Sequence, residues 1–271
     1  MFPGATADRD TASYVVVGAP LDATTTFQPG TRFGPDRIRH FAETYDDYDH
    51  RTDSHFSDLA VADDGDVRAW DDVESYLDHL TGELRSVVLD DAVPLLLGGE
   101  HTVTYAGVEA VDPDTLVVLD AHLDLRSEYD GNPWNHACVT RHALDTVDRV
   151  VVIGARTGSP EEWERAAESD VEVVAPADAR DWINDLDDDF ADQSVYCSVD
   201  IDGADPGFAP GTGTMEPFGL DPREMRDVVR AVAPHADGFD VVEVNDRDDG
   251  QAAALGAKLL REFVYAHADG D

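Results

Sequence analysis

The sequence predicts a three-layer α/β/α fold built on a mainly parallel sheet of about eight strands. Three observations carry that prediction. Short apolar runs rich in β-branched residues recur along the chain, stretches of helix or loop length separate them, and the runs are continuously apolar rather than alternating. Strands buried on both faces read this way. Alternation of such strands with helices places helices on both sides of a parallel sheet.

Taken in order, residues 13–18 (SYVVVG) make the first clear strand and 35–43 an amphipathic helix. A weaker strand at 58–62 precedes a long amphipathic helix at 69–89. The second clear strand is 93–98 (VPLLLG), with a helix at 103–110. The third is 115–120 (TLVVLD), followed after a polar loop by a helix at 139–144. The fourth, 149–154 (RVVVIG), leads to a helix at 161–168 and a weaker strand at 171–174. The acidic run 185–192 reads as a solvated helix end or loop, not a domain boundary. The fifth clear strand is 194–200 (SVYCSVD), then a helix at 222–232, the strand 239–244 (FDVVEV) and a helix at 251–267. No internal repeat and no linker rich in Pro, Gly or Ser interrupts this series, so residues 1–271 read as one domain.

Composition narrows the function. With 271 residues, 42% of them apolar, the chain can bury a sizeable core. Lys+Arg is 19 against 59 Asp+Glu, a net charge of −40, which excludes ordinary nucleic-acid binding and disfavours an anionic membrane surface. The acids are 44 Asp and 15 Glu, and of the cations only Lys258 is not arginine. A coat of short acidic side chains nearly free of Lys fits a cytosol of concentrated salt. There a Debye length of roughly 3 Å or less removes the self-repulsion. Cys138 and Cys197 read as reduced thiols of a cytosolic protein. The N-terminus MFPGATADRD lacks a signal-peptide pattern, and no apolar run approaches the roughly 18–20 residues of a membrane span.

Ligands of open parallel sheets bind beyond the carboxyl ends of the strands, and three strand ends here carry unusual clusters. The third clear strand ends in Asp120-Ala-His122-Leu-Asp124, whose spacing of two turns three potential ligands to one side of an extended segment. The fifth ends in Ser198-Val-Asp200-Ile-Asp202, with two carboxylates facing the same way. The second ends in Gly98-Gly99-Glu100-His101, where the glycines permit close backbone approach and a sharp exit that delivers an imidazole. Two His and four Asp exceed what one metal needs, and four crowded carboxylates without a cation would repel each other. Two adjacent divalent metals would use them all, with two carboxylates bridging. Oxygen-rich ligation with two imidazoles suits Mn²⁺ better than structural Zn²⁺. Two metals about 3.5–4 Å apart can activate one bridging water. A lone DxD is common in so acidic a chain; DAHxD after an apolar strand is far more specific.

The runs GGEH, DAHLDLRSEYDGNPWNHA and SVDIDGADPGFAPGTGT resemble the signatures of the ureohydrolase family: the arginases, agmatinases and their relatives. The resemblance covers nearly the whole chain. GAPLDATTTFQPGTRFGPDRIR is similar to the family's first strand and following loop, and DDGDV at 63–67 and GFDVVEVN at 238–245 also fit. It implies an arginase-like fold and two Mn²⁺ per chain. One would be held by His101, Asp120, Asp124 and Asp200, the other by His122, Asp120, Asp200 and Asp202, with Asp120 and Asp200 as bridges. His136 matches the family's proton-shuttle histidine, and Glu243 the glutamate that pairs with the substrate guanidinium. Both roles make physical sense: a carboxylate holds a planar guanidinium bidentately, and a departing amine needs a proton from a group titrating near working pH. The implied reaction is attack of a metal-bridging hydroxide on the guanidinium carbon, with release of urea. Cys138 lies close to His136, but the family's chemistry uses no thiol.

The loop 154–162 (GARTGSPEE) has Thr157 and Ser159 where arginases carry aspartates that help hold the substrate's α-amino group, and it resembles the corresponding loop of agmatinases. The stretch DLRSEYDGNPWNHACVTRHAL is similar to archaeal agmatinases. The resemblance thus implies agmatine as substrate, with Thr157, Ser159 and Glu243 binding it and putrescine and urea as products. Departures near the expected pocket mouth are Met215, Phe218, Asp246 and Arg247. They leave open aminopropylagmatine, guanidinobutyrate, arginine or formiminoglutamate; an anionic tail would need a cation such as Arg126, Arg156 or Arg247. Tyr129 and Trp134 either line the channel or pack its loop, and His40, His50, His55, His79, His142, His235 and His267 read as surface or helix polar residues. A mononuclear deacetylase-like enzyme would show fewer carboxylate ligands. A catalytically silent scaffold would be expected to lose ligands, whereas all six positions are filled. The family further implies a homo-oligomer, trimer or hexamer, without nucleic-acid or membrane partners. The acidic coat predicts that diluting KCl from molar to about 0.1 M lowers the thermal unfolding midpoint; a midpoint independent of KCl, followed by circular dichroism, would overturn it.

Overall fold

The computed structural model describes residues 1–184, 186, 190 and 193–270. Eight parallel strands form one sheet: β1 (Tyr14–Ala19), β4 (Val61–Asp66), β5 (Val93–Gly98), β6 (Thr115–Leu119), β7 (Arg149–Ile153), β8 (Val171–Val174), β9 (Val195–Asp200) and β10 (Ala236–Val242). β2 (Tyr48–Asp49) and β3 (Ser54–His55) make a separate two-residue antiparallel ladder. The sheet order is β4-β1-β5-β10-β9-β6-β7-β8, and every pairing in it is parallel. The predicted three-layer α/β/α fold with about eight strands is therefore the observed one.

The apolar runs are continuous because alternate residues feed cores on opposite faces. Val16, Leu95, Leu97, Val117, Leu119, Cys197 and Val199 enter one cluster. On the other side Val15, Val17 and Leu96 meet a second, and Leu116, Val118, Val150, Val152 and Tyr196 a third. The helices divide accordingly. α1 (Gly34–Ala42), α8 (Gln251–Gly270), α7 (Pro222–Val232) and α6 (Ala179–Asn184) pack in succession, as do α2 (Val73–Leu89), α3 (Thr104–Val111) and α4 (Val139–Ala143). α5 (Pro160–Ala166) packs on β8. α7 shows why such segments fold as they do: Asp221 and Glu224 form a reciprocal capping box, Pro222 occupies the first turn, and Met225, Val228, Val229 and Val232 bury one stripe.

Three boundaries differ from expectation. The strand expected at 58–62 is displaced: Phe56–Asp58 is a 3₁₀ turn and Ala60 is left-handed (φ 54°), so pairing begins at Val61. Only the start of β4 falls within the expected 58–62, because it is an edge strand carrying Asp63, Asp64 and Asp66. The long helix starts at Val73, not 69, because the Asp72 side chain caps it by accepting from the Ser75 amide. α6, just before the acidic run, has no counterpart among the helices expected from the sequence. Of the acidic run 185–192, all but Leu186 and Phe190 lie outside the described residues.

Arg39 explains the acids of β4. Its guanidinium is bidentate on Asp63, at 2.9 Å for both bonds, donates to Asp66 Oδ1 at 2.6 Å and reaches the Gly65 carbonyl at 3.3 Å. Burial works against the charged Asp63, yet Arg39 and the Gly65 and Phe2 amides hold it below the usual carboxylate range. This clamp ties α1 to the sheet edge. Removing one partner of a buried pair strands the other charge, so Arg39→Ala should cost about 3–5 kcal/mol. A urea titration in molar KCl checks this; a loss below about 1 kcal/mol would place the clamp among dispensable surface pairs.

Candidate metal centre and its cavity

The ends of β5, β10, β9 and β6 are neighbours in the sheet, and each delivers part of one site. After β5 the chain passes so close to Leu21 that a Cβ on Gly99 would meet the Leu21 carbonyl at 1.9 Å. Only glycine can stand there. The exit places His101 at the head of a 3₁₀ turn that runs into α3. After β6, Asp120 is anchored by its amide to Ile153 of β7 at 3.0 Å, and Asp124 adopts a left-handed backbone (φ 50°). After β9, Asp200 accepts the Asp202 amide at 2.8 Å, turning the chain so that Asp202 also faces inward.

All six ligand residues expected from the sequence converge. Asp120 lies between the two imidazoles: Oδ2 is 3.3 Å from His101 Nδ1 and Oδ1 is 3.5 Å from His122 Nδ1. His101 Nδ1 also meets Asp124 Oδ2 at 2.9 Å and Asp200 Oδ2 at 3.5 Å. His122 Nδ1 meets Asp202 Oδ2 at 3.1 Å. Two ligand groups result, His101–Asp120–Asp124 and Asp120–His122–Asp202, each with its donor atoms within 4.8 Å of one another. Four carboxylates are buried here, and Asp120 Oδ2 has no hydrogen-bond partner. Burial and the charges of Asp202, Asp120 and Glu243 push Asp200 well above the carboxylate range; burial and Asp120 push Asp124 up to about 6. Burial disfavours charge on both histidines, but the surrounding carboxylates raise them above the ordinary imidazole value. A pocket that so favours positive charge, with oxygen-rich donors and one shared carboxylate, fits a pair of divalent cations.

Beside this floor stands a second group that the sequence only half revealed. His136 Nδ1 is 2.9 Å from Glu243 Oε1, and the same oxygen accepts the His101 amide at 2.9 Å. Burial alone would lower the His136 ring, but Glu243 outweighs it and pushes the ring up to about 9. Glu243 sits just past β10 with a left-handed backbone (φ 60°), and its Oε2 is buried without a partner. On the other side Thr26 donates its amide to His136 Nε2 at 3.0 Å, and its Oγ lies 2.8 Å from the same nitrogen. The loop bearing Thr26 is held by Glu100, which accepts from the Thr24 amide and from the Thr24 and Thr25 hydroxyls, and by Asn135, whose amide donates to the Thr24 carbonyl at 2.7 Å. Sequence reading singled out neither Thr26 nor Glu100. The Thr-Thr-Thr run at 24–26 and the acid inside GGEH were the available signals.

A cavity of about 260 Å³ opens over the floor. His122, Asp124, His136, Asp200 and Asp202 line it, together with Arg126, Tyr129, Thr157, Ser159 and Glu162. Thr157 is brought beside His122 by a parallel bridge. Ser159 lines the cavity while its hydroxyl accepts the Glu162 amide as the cap of α5. Of the three candidate arginines, Arg126 reaches the cavity, paired with Glu162 at 3.2 Å and stacked over Tyr129. Arg156 is a strut instead: it donates to the carbonyls of Gly154, Asp202, Gly203, Ala204, Glu216 and Pro217. Arg247 bonds the Pro29 carbonyl at 3.1 Å. Met215, Phe218, Asp246 and Arg247 are exposed and outside the lining of this cavity. Trp134 stacks on His142 at 4.4 Å, which makes it a packing residue of the loop. Burial raises the Cys138 thiol to about 11, against a nucleophilic role.

Comparison with known proteins follows the same lines. A family model described as the Arginase family matches residues 12–265. The agmatinase of Pyrococcus horikoshii is 36% identical, over 94% of this chain and 92% of its own length. The N(1)-aminopropylagmatine ureohydrolase of Thermococcus kodakarensis is likewise 36% identical, over 96% of this chain and 93% of its own. The crystal structure of the agmatine ureohydrolase of Thermoplasma volcanium is similar at a TM-score of 0.93 and 36% identity, covering 99% of this chain and 94% of that one. With the match running almost end to end and the fold shared along it, the chain belongs to the arginase family and is a hydrolytic enzyme.

Proposed function

We propose that this hydrolase is a dinuclear manganese enzyme that cleaves the guanidinium group of agmatine to putrescine and urea. The observation that carries the reading is the pair of His–Asp groups sharing Asp120 on the floor of a cavity whose wall bears His136. His101, Asp120, Asp124 and Asp200 would hold one Mn²⁺; His122, Asp120, Asp200 and Asp202 the other. When bound, the two cations supply Lewis acidity and bring the pKa of water toward neutrality. The chain's own residues do the rest. Glu243 Oε2, buried without a partner, is the acceptor for a guanidinium N–H, and Thr157 and Ser159, which line the cavity, bind the rest of the substrate. Glu243 holds the His136 ring by Nδ1 and favours its charged form, which supplies a proton to the departing amine.

The agmatine assignment rests on the loop bearing Thr157 and Ser159 and on relatives named for agmatine. A second reading, the longer N(1)-aminopropylagmatine, is favoured by the Thermococcus kodakarensis relative of equal identity. We further read residues 1–271 as one domain, assembled as a trimer or hexamer in a high-salt cytosol. No helix among the described residues is long and apolar enough to cross a membrane.

Urea release in molar KCl with Mn²⁺, compared across agmatine, N(1)-aminopropylagmatine, guanidinobutyrate and arginine, tests the reading. Agmatine should turn over fastest. Preference for another guanidino compound would keep the chemistry and displace the substrate. His122→Ala should lower kcat more than about 100-fold, since loss of a mere supporting partner of a ligand already costs 10–100-fold. Chelation should abolish turnover, and Mn²⁺ should restore it. The donor form of His136 exists below its raised pKa and disappears as pH climbs through about 9, so kcat should fall on that alkaline limb. Glu243→Gln removes the main cause of the rise and should move the limb down toward the ordinary imidazole value of about 6.5; an unmoved limb would detach it from His136.

A further inference from the structure

The geometry points to Thr26 as the proton-relay partner of His136, a role that rests on His136 being the proton donor of the proposed reaction. Both ring nitrogens of His136 are occupied in the structure. Nδ1 faces the buried Glu243, and Nε2 faces Thr26, which itself lines the cavity. Thr26 is therefore the first group that a proton leaving His136 through Nε2 meets. Its two polar groups differ in what they tolerate. The amide can only donate, so it suits Nε2 while that nitrogen carries a lone pair. The hydroxyl, 2.8 Å away, can donate to the neutral ring and accept from the charged one. Thr26 Oγ is thus the partner on this side that fits both protonation states of the shuttle.

The loop is built to keep it there. Thr24 and Thr25 are bound to buried Glu100, Asn135 holds the Thr24 carbonyl, and the Gly30 amide donates to Asp22 at 3.0 Å. Asn245 reaches the Gln28 carbonyl at 3.0 Å. Held from both flanks, Thr26 turns its side chain to the ring while its neighbour Phe27 is left in solvent.

The proton balance closes. Hydrolysis of R–NH–C(NH₂)₂⁺ breaks the bond between carbon and the R-bearing nitrogen and forms a C–O bond to water. Both protons of that water finish on the departing nitrogen as R–NH₃⁺, leaving urea. In the relay, Nε2–H passes its proton to Thr26 Oγ as the Thr26 hydroxyl proton moves to the departing nitrogen. His136 ends neutral, Thr26 ends unchanged, and a proton from the water recharges the ring.

Thr26→Val keeps the amide and deletes the hydroxyl; Thr26→Ser keeps both. Thr26→Val should lower kcat about 10–100-fold at nearly unchanged KM and metal content, and Thr26→Ser should stay within about threefold of the parent. Equal loss in both variants, or a Thr26→Val enzyme within threefold, overturns the relay. His136→Asn separates the two readings: if it keeps parental kcat, the histidine role and the relay fall together. If it is impaired while Thr26→Val is not, the relay falls alone. Imidazole ¹⁵N spectra give a readout free of turnover, with the His136 resonances identified by their loss in His136→Asn. Removal of the hydroxyl should shift the Nε2 resonance in Thr26→Val and leave it near the parental position in Thr26→Ser. An unmoved resonance in Thr26→Val overturns the proposal.

Discussion

Mutual repulsion among four buried carboxylates is the constraint on which the rest of the structure depends. Asp120, Asp124, Asp200 and Asp202 lie together, away from water, with two imidazoles among their partners. An arrangement of this kind is costly unless positive charge enters it. The fold meets the cost with rigidity. The acids sit at the ends of two sheet strands, are oriented by the amides of Ala121, His122 and Asp202, and are braced from β5 by His101. Parallel strands anchored in the cores hold the four acids in place.

Around this floor buried polar groups tie the loops to one another, in addition to apolar packing. Glu100 gathers the threonines of the loop after β1, Asn135 adds a bond from the other side, and Arg156 stitches six carbonyls drawn from the ends of β7 and β9 and the segment beyond. Carbonyl groups in irregular segments have no ladder to satisfy them, and a planar guanidinium with five donors can serve many at once. The same economy recurs at Arg39 and Arg261, both buried, where arginine meets carboxylates in one case and carbonyls and aromatic faces in the other. Arg39, Arg156 and Arg261 thus stand where the planar, many-donor geometry of arginine matters.

The pairing of His136 with Glu243 shows how one buried contact couples the two ends of the chemistry. Glu243 fixes the ring through Nδ1 and holds the His101 amide with the same oxygen, so the His136 ring and the carboxylate floor share a support. Thr26 approaches the ring from the loop after β1, far away in sequence. The ring is pulled toward the charged form by the carboxylate and toward the neutral form by the Thr26 amide. That opposition suits a group that must hold a proton and then give it up.

The sequence by itself determined most of the strands, their burial on both faces and the six His and Asp residues that converge at the strand ends. Each of those signals is local: continuous β-branched runs, spacings of two along an extended segment, and a glycine pair at a strand exit. It misjudged β4 and the start of α2, where an acidic edge strand and a single capping aspartate outweigh apolar pattern. Only the tertiary structure decided that strands numbered far apart, β5, β10, β9 and β6, lie side by side, and so which side chains meet. It alone separated Arg126 at the cavity from Arg156 in its carbonyl cage, and brought Thr26 to His136 across 110 residues of chain. Strand order and loop contacts are long-range properties. They are fixed by how whole faces pack, and no spacing within a short segment encodes them.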